Sequence, residues 1–181
     1  MYKFDLSVFS EEFDRIGHRR TIRSHETLVP VGRKADSLYV VEKGGCVLLF
    51  VHPKTGEERA INFFIPGFHP IATVAESFAN GQPSKYRLAT FTNSQVIEIK
   101  KSAVTEHLNA LDLTSPFHQY GVQTLLEKND LRAMLISLNS EEMLQYLHEH
   151  YPQILQQVPS KYIANFLGIT PQWLSKIKHK L

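Results

Sequence analysis

The chain of 181 residues carries 20 Lys and Arg against 18 Asp and Glu, a formal net charge of +2, with 43% apolar residues. That balance buries one large core or two small ones and excludes an intrinsically disordered chain. A single cysteine, Cys46, excludes an intramolecular disulfide framework and an iron–sulfur cluster held by the cysteines of one chain, and it suits a reducing cytosol. No apolar stretch approaches about eighteen residues, and the opening Met-Tyr-Lys-Phe-Asp lacks a signal peptide's apolar core, so a cytoplasmic protein without membrane contact is expected.

From His18 to Lys100 the pattern is that of strands. Glycines recur at positions 32, 44, 56, 67 and 81, and between them lie runs rich in β-branched and aromatic residues: Leu38 to Val41, Cys46 to Val51, Ala60 to Ile65, Tyr86 to Thr92 and Val96 to Ile99. This rhythm predicts an all-β sandwich or barrel. Cys46, inside an apolar run, is expected to be a buried, inert thiol. Pro53-Lys-Thr-Gly56 has the residues of a hairpin turn. Alternation of Ile61, Phe63 and Ile65 with Asn62 and Phe64 predicts a strand that buries one face. Ile71 to Phe78 breaks the rhythm and reads as a short inserted helix, either a lid over the barrel mouth or a presenter of backbone N–H groups to an anion.

After Lys101 the strand signal stops. Ser102 to Leu111 reads as a short helix with Val104, Leu108 and Leu111 on one face. Ser115 can cap and Pro116 can open a long helix running to about Leu138, on which Phe117, Val122, Leu125, Leu131, Met134 and Leu138 form a broad apolar face. Gly121, Thr124 and Lys128 interrupt any strict heptad. Asn139-Ser-Glu-Glu142 reads as another helix start with Ser140 as cap, leading through Met143, Leu144, Leu147 and Tyr151 to a stop at Pro152.

The last twenty-two residues, Ser160 to Leu181, read as a helix-turn-helix. Ala164 falls where two helices cross and only a small side chain fits, and Gly168 falls where the chain must turn with positive φ. Thr170 is a natural N-cap, Pro171 suits the first helical position, and Leu174 and Ile177 supply an apolar inner face. Trp173 is expected to pack against the preceding helix or the domain surface. Residues 150–181 hold Lys161, Lys176, Lys178 and Lys180 with no carboxylate, a local +4, whereas residues 1–149 carry 16 basic against 18 acidic residues. A positive end of this kind neutralises phosphates and releases their counterions, so the tail is the candidate surface for double-stranded DNA. A basic, solvated terminal helix would also favour lysines, but it has no need of the Ala, Gly, Leu spacing.

The order of these pieces resembles the Crp/Fnr family of bacterial transcription regulators over nearly the full length. Asp36-Ser-Leu-Tyr-Val-Val-Glu-Lys-Gly44 is similar to a strand and turn of that family's nucleotide-binding domain, and Tyr162 to Lys178 is similar to its DNA-reading motif. Glu76-Ser-Phe78 with Pro83-Ser-Lys-Tyr86 resembles a short-chain subgroup. The resemblance implies an α+β protein: a cyclic-nucleotide-binding-like β-barrel of jelly-roll type over residues 1–115, a connecting and dimerisation helix over 116–138, and a helix-turn-helix domain over 139–181. It further implies a homodimer on a two-fold-related operator, with RNA polymerase as a further partner and the effector unknown.

For cyclic AMP the resemblance breaks down. Family members that bind it carry a Gly-Glu pair at the start of the inserted helix and an Arg-Ser or Arg-Ala pair at its end. Here Gly67 is followed by Phe68-His-Pro-Ile-Ala-Thr, with no acid until Glu76, and the Arg position holds Ser84, followed by Lys85. Lysine reproduces a bidentate Arg–phosphate contact only as a point charge, so binding of cyclic AMP in the family's way is not expected; Gly67, Glu76, Ser84 and Lys85 are the candidate ligand residues. For DNA, the motif's register places Pro171, Gln172 and Lys176 toward base edges and Ser175, Lys178 and Lys180 toward bases or phosphates, Gln172 suiting adenine and Lys176 guanine. A rival reading is a metabolite- or protein-binding sensor without DNA binding. An enzyme is not expected: His18, His25, His52 and His69 form no His-x-His pair with a nearby Glu, and neither a catalytic triad order nor a phosphate-cradling glycine loop is present, so no catalytic residue, cofactor or metal is assigned.

Overall fold

The computed structural model describes residues 7–178. The elements run α1 (Ser7–Ile16), β1 (His18–Ile22), β2 (Thr27–Val29), β3 (Ser37–Lys43), β4 (Cys46–Val51), β5 (Glu58–Phe64), β6 (Ile71–Ala72), α2 (Ala75–Asn80), β7 (Tyr86–Thr90), β8 (Ser94–Lys100), α3 (Lys101–Ala110), α4 (Thr114–Ile136), α5 (Ser140–His150), α6 (Pro152–Gln157), α7 (Ser160–Leu167) and α8 (Pro171–Lys178). The strands form two four-stranded antiparallel sheets, ordered β1-β8-β3-β6 and β2-β7-β4-β5, and among the described residues no ladder closes them into the expected barrel. Gly44, with φ of 77°, lets the chain leave the first sheet after β3 and enter the second at β4. At the neighbouring Gly45 a Cβ would come within 2.2 Å of the Phe91 ring, so that corner closes only around a hydrogen.

Between the sheets lie Ile22, Val41, Cys46, Leu48, Phe64, Leu88 and Val96, all buried. A second apolar cluster joins the outer face of β4 and β5 to the C-terminal helices: Val47, Leu49 and Phe63 meet Leu144, Leu147, Ile154, Ile163, Leu174 and Ile177. β5 therefore buries both faces rather than the one predicted, because helices cover the side that alternation would leave to water; Phe63 points to the helices and Phe64 into the sandwich. Each fully buried Leu or Ile here contributes about 1.5 to 3 kcal/mol of transfer free energy.

α1 lies outside the predicted elements. Phe9, Phe13 and Ile16 share one side of it, and Phe9 and Phe13 pack edge-on against Phe117 at the start of α4, with ring centroids 5.7 and 6.1 Å away. The predicted inserted helix is divided. Ile71 and Ala72 pair with β3, and the helix proper begins only at Ala75, since residues that can ladder with Tyr39 and Val40 do so.

The long helix starts at Thr114 without a side-chain cap, two residues before Pro116, and ends at Ile136. Asn139 rather than Ser140 caps α5, accepting from the Glu141 and Glu142 N–H groups while the Glu142 carboxylate accepts from the Asn139 N–H. Pro152 closes α5 as predicted but also opens the extra helix α6. Leu111 is exposed, one residue past the end of α3, instead of sharing a face with Val104 and Leu108. Nor do the six apolar residues predicted for the long helix share one: Leu131 is buried and Phe117 half-buried, while Val122, Leu125 and Met134 face solvent. Among the described residues, no helix is long and apolar enough to cross a membrane.

Candidate functional site

The C-terminal pair is built by local rules that the residues satisfy one by one. On α7, Ile163, Ala164 and Leu167 form the buried side. Gly168 ends the helix in the left-handed region at φ of 70°, and the Ile169 N–H returns to the Ala164 carbonyl at 3.0 Å. A side chain at 168 would be strained by that positive φ, whereas the Arg59 guanidinium, 2.9 Å from where its Cβ would sit, is the end of a flexible side chain that can move aside. The Thr170 hydroxyl then accepts from the Trp173 N–H at 3.1 Å, capping α8, and Pro171 occupies its first turn.

Leu174 and Ile177 anchor α8 against α5 and α7. Its outer face presents Pro171, Gln172, Ser175 and Lys176 to solvent. Trp173 is 37% exposed, and the Lys176 ammonium lies 5.2 Å from its ring centroid. Lys178 turns back toward the start of α7, donating to the Ser160 hydroxyl at 3.4 Å, and partial burial pushes its ammonium down from the ordinary lysine range. Lys180 lies outside the described residues. Gln172, Ser175 and Lys176 thus form one continuous exposed surface, and Lys178 borders it.

This pair does not hang free. β5 is the last strand of its sheet, and an edge strand exposes unpaired N–H and C=O groups. The Asn165 side chain of α7 occupies that edge as a surrogate strand: its Oδ1 accepts from the Ala60 N–H at 2.5 Å and its Nδ2 donates to the Glu58 carbonyl at 3.1 Å. Phe166 stacks edge-on to Phe63 at 5.2 Å, and on α6 the Gln157 side chain donates to the Pro66 carbonyl at 3.2 Å. Sequence reasoning missed Asn165, for no local pattern distinguishes a clasp from an exposed helical asparagine.

The four candidate ligand residues are only partly brought together. Lys85 donates to Glu76 at 3.3 Å with both side chains exposed. Ser84 is buried and donates to the Tyr86 carbonyl at 2.7 Å. Gly67 faces α6 instead, its carbonyl accepting from Gln153 at 3.4 Å. A different set of charged groups meets the sandwich: Lys128 of α4 is buried with its ammonium 4.2 Å from the Phe64 ring centroid, and Arg132 donates to the Ile61 carbonyl. His69, beside Lys128 and 3.7 Å from Glu127, is kept neutral, its pKa pushed down to about 4 by burial and then by the lysine's charge. Among the described residues, no group of three or more His, Cys, Asp or Glu is placed to hold a metal ion.

No family model matches the sequence, and no curated protein matches it either. Solved structures do. The c-di-GMP-responsive global regulator CLP of Xanthomonas campestris superposes with a TM-score of 0.67 at 20% identity, over 96% of this chain and 90% of its own. FixK2 of Bradyrhizobium japonicum gives 0.74 at 15% identity over 92% and 84%. The chain has a Crp/Fnr-like fold. The catabolite activator protein of Thermus thermophilus adds a match of 0.57 at 17% identity over 94% and 81%. In this Crp/Fnr-like fold α4 carries an outward stripe of Val122, Leu126, Asn129, Ala133 and Ile136, all exposed and spaced by alternating steps of four and three. That spacing keeps them on one line along a helix of 23 residues, about 35 Å long.

Proposed function

We propose that this protein is a sequence-specific DNA-binding transcription regulator of the Crp/Fnr type, working as a homodimer and not responding to cyclic AMP in the usual way. The observation that carries the reading is the outer face of α8. A capped, glycine-turned helix pair holds Gln172, Ser175 and Lys176 outward on a rigid base of Leu174 and Ile177, in a segment without carboxylates. Side chains placed so can enter a major groove, with an amide suited to adenine and an ammonium to guanine. The strand order of the two sheets supports a jelly-roll input domain over residues 1–115. The stripe on α4 supports a parallel helix pairing with a second copy, in which Asn129 within an otherwise apolar line would fix register.

Against cyclic AMP stands the lack of an Arg where Ser84 lies and of an acid between Gly67 and Glu76, with Lys85 offering a cyclic phosphate only a point charge. The DNA reading is tested by retardation of duplex DNA with wild type and Lys176→Ala. The variant is expected to lose about 1 to 3 kcal/mol on a specific site and to bind random duplex nearly as wild type does, with affinity falling steeply with salt in both cases. Equal losses on specific and random DNA would remove Lys176 from the reading face.

A further inference from the structure

Arg59 belongs to the sandwich but ends at the helix pair: its guanidinium lies at the turn between α7 and α8, 2.9 Å from where a Cβ on Gly168 would sit. It is exposed and forms no ion pair among the described residues, and the neighbouring Glu58 is taken by Arg87 at 2.6 Å. The turn leads into Pro171 and Gln172, the end of α8 that meets base edges when such a helix enters a major groove. Contacts between α7 and the sandwich hold Arg59 in this place. Tyr162 meets Phe91 at 6.1 Å between ring centroids and Phe166 meets Phe63 at 5.2 Å, on either side of the Asn165 clasp to the strand that carries Arg59.

The opposite end of α7 is cationic too. Lys161 is exposed there, and Lys178 reaches the Ser160 hydroxyl at 3.4 Å. α7 has 8 residues, so its two ends stand about 12 Å apart, which is about the width of the major groove. A helix laid across the groove with cations at both ends meets both bordering phosphate strands, whereas lysines at one end meet only one.

We infer that Arg59 is a DNA-backbone contact supplied by the sandwich: it binds a phosphate of the strand that borders the groove at the turn, while Lys161 and Lys178 serve the other strand. The inference rests on the reading of α8 as a DNA-reading helix. A guanidinium suits this role because it is always charged and can hold two phosphate oxygens at once, and its flexible stem lets it leave the turn for the backbone. A phosphate contact fixes register without reading sequence, so the sandwich becomes part of the DNA-binding surface itself.

The test measures retention of a selected site and of random duplex by the full chain across a salt series, as wild type, Arg59→Gln, Arg59→Lys and Lys101→Gln. Arg59→Gln is expected to bind both duplexes roughly three- to tenfold more weakly at about 0.15 M salt, and to lower the slope of log affinity against log salt by about 0.9 per subunit. Arg59→Lys keeps the slope, since the charge remains. Lys101, whose ammonium lies over the Phe78 ring at the start of α3, controls for net charge, and Lys101→Gln leaves the slope as in wild type. An Arg59 that only braced the turn would shift the melting midpoint and leave the slope alone. An unchanged slope in Arg59→Gln, an equal drop in Lys101→Gln, or a loss confined to the selected site would overturn the proposal. A wild type that retains no duplex at any salt is a separate result, which would overturn the reading of α8 along with it.

Discussion

Asn165→Ala removes the clasp between α7 and the edge of β5 while leaving the helix a better helix former. Two hydrogen bonds are lost, at 2.5 Å from the Ala60 N–H and 3.1 Å to the Glu58 carbonyl. A net hydrogen bond is worth about 0.5 to 1.5 kcal/mol, and the second lies at the solvent boundary where water replaces it, so the loss is about 1 to 2 kcal/mol. For a chain of this size that lowers the melting midpoint by roughly 2 to 8 °C, measured by circular dichroism. Hydrogen exchange should report the same event locally: the Ala60 amide loses protection, while amides of β3 and β8 on the other sheet keep theirs. A variant that melts with wild type and shows unchanged exchange at Ala60 would refute the clasp.

Three further outcomes follow from the same geometry. Burial alone would raise the Glu98 carboxyl, but hydrogen bonds from Lys100, Arg20 and Ser37 outweigh it and hold the group near 2, against 4.5 in an ordinary carboxylate. Its folded value lies below the unfolded one, so its stabilisation is present above about pH 4.5 and lost as the pH falls toward 2; Glu98→Gln should flatten the acid limb of an unfolding profile over that window. Burial pushes the Cys46 thiol up to about 12, so a thiol reagent at pH 8 should label it only as fast as the chain unfolds, with urea accelerating the reaction. Leu126→Glu, on the exposed stripe of α4, should give a monomer in sedimentation while leaving the circular dichroism spectrum intact; an unchanged dimer would move the interface off that stripe.

What could be read from the residues was local chemistry. Gly168, Thr170 and Pro171 each satisfy a backbone need within a few residues, and the structure places them as that need requires. Ser140 shows the limit of such reading, for Asn139 beside it carries the same capping chemistry and takes the position. The glycine rhythm announced strands but could not distinguish a closed barrel from two sheets, because closure depends on which edges meet. β5 shows why burial was misjudged: alternation describes one covered face, and the second is covered by helices about a hundred residues away. Lys128 read as an interruption of an apolar heptad, whereas tertiary packing buries it over Phe64. Asn165 and Arg132 act across similar sequence distances and left no local trace.

In the function proposed above, α8 reads DNA as one half of a symmetric pair. Selection of bound sequences from a random duplex pool, at about 0.15 M salt where non-specific binding is weakened, tests it most directly. Enrichment of a palindrome whose half-sites lie about one helical turn apart is expected, with preference at the half-site positions relaxed by Lys176→Ala. A pool that stays random after repeated rounds would contradict it.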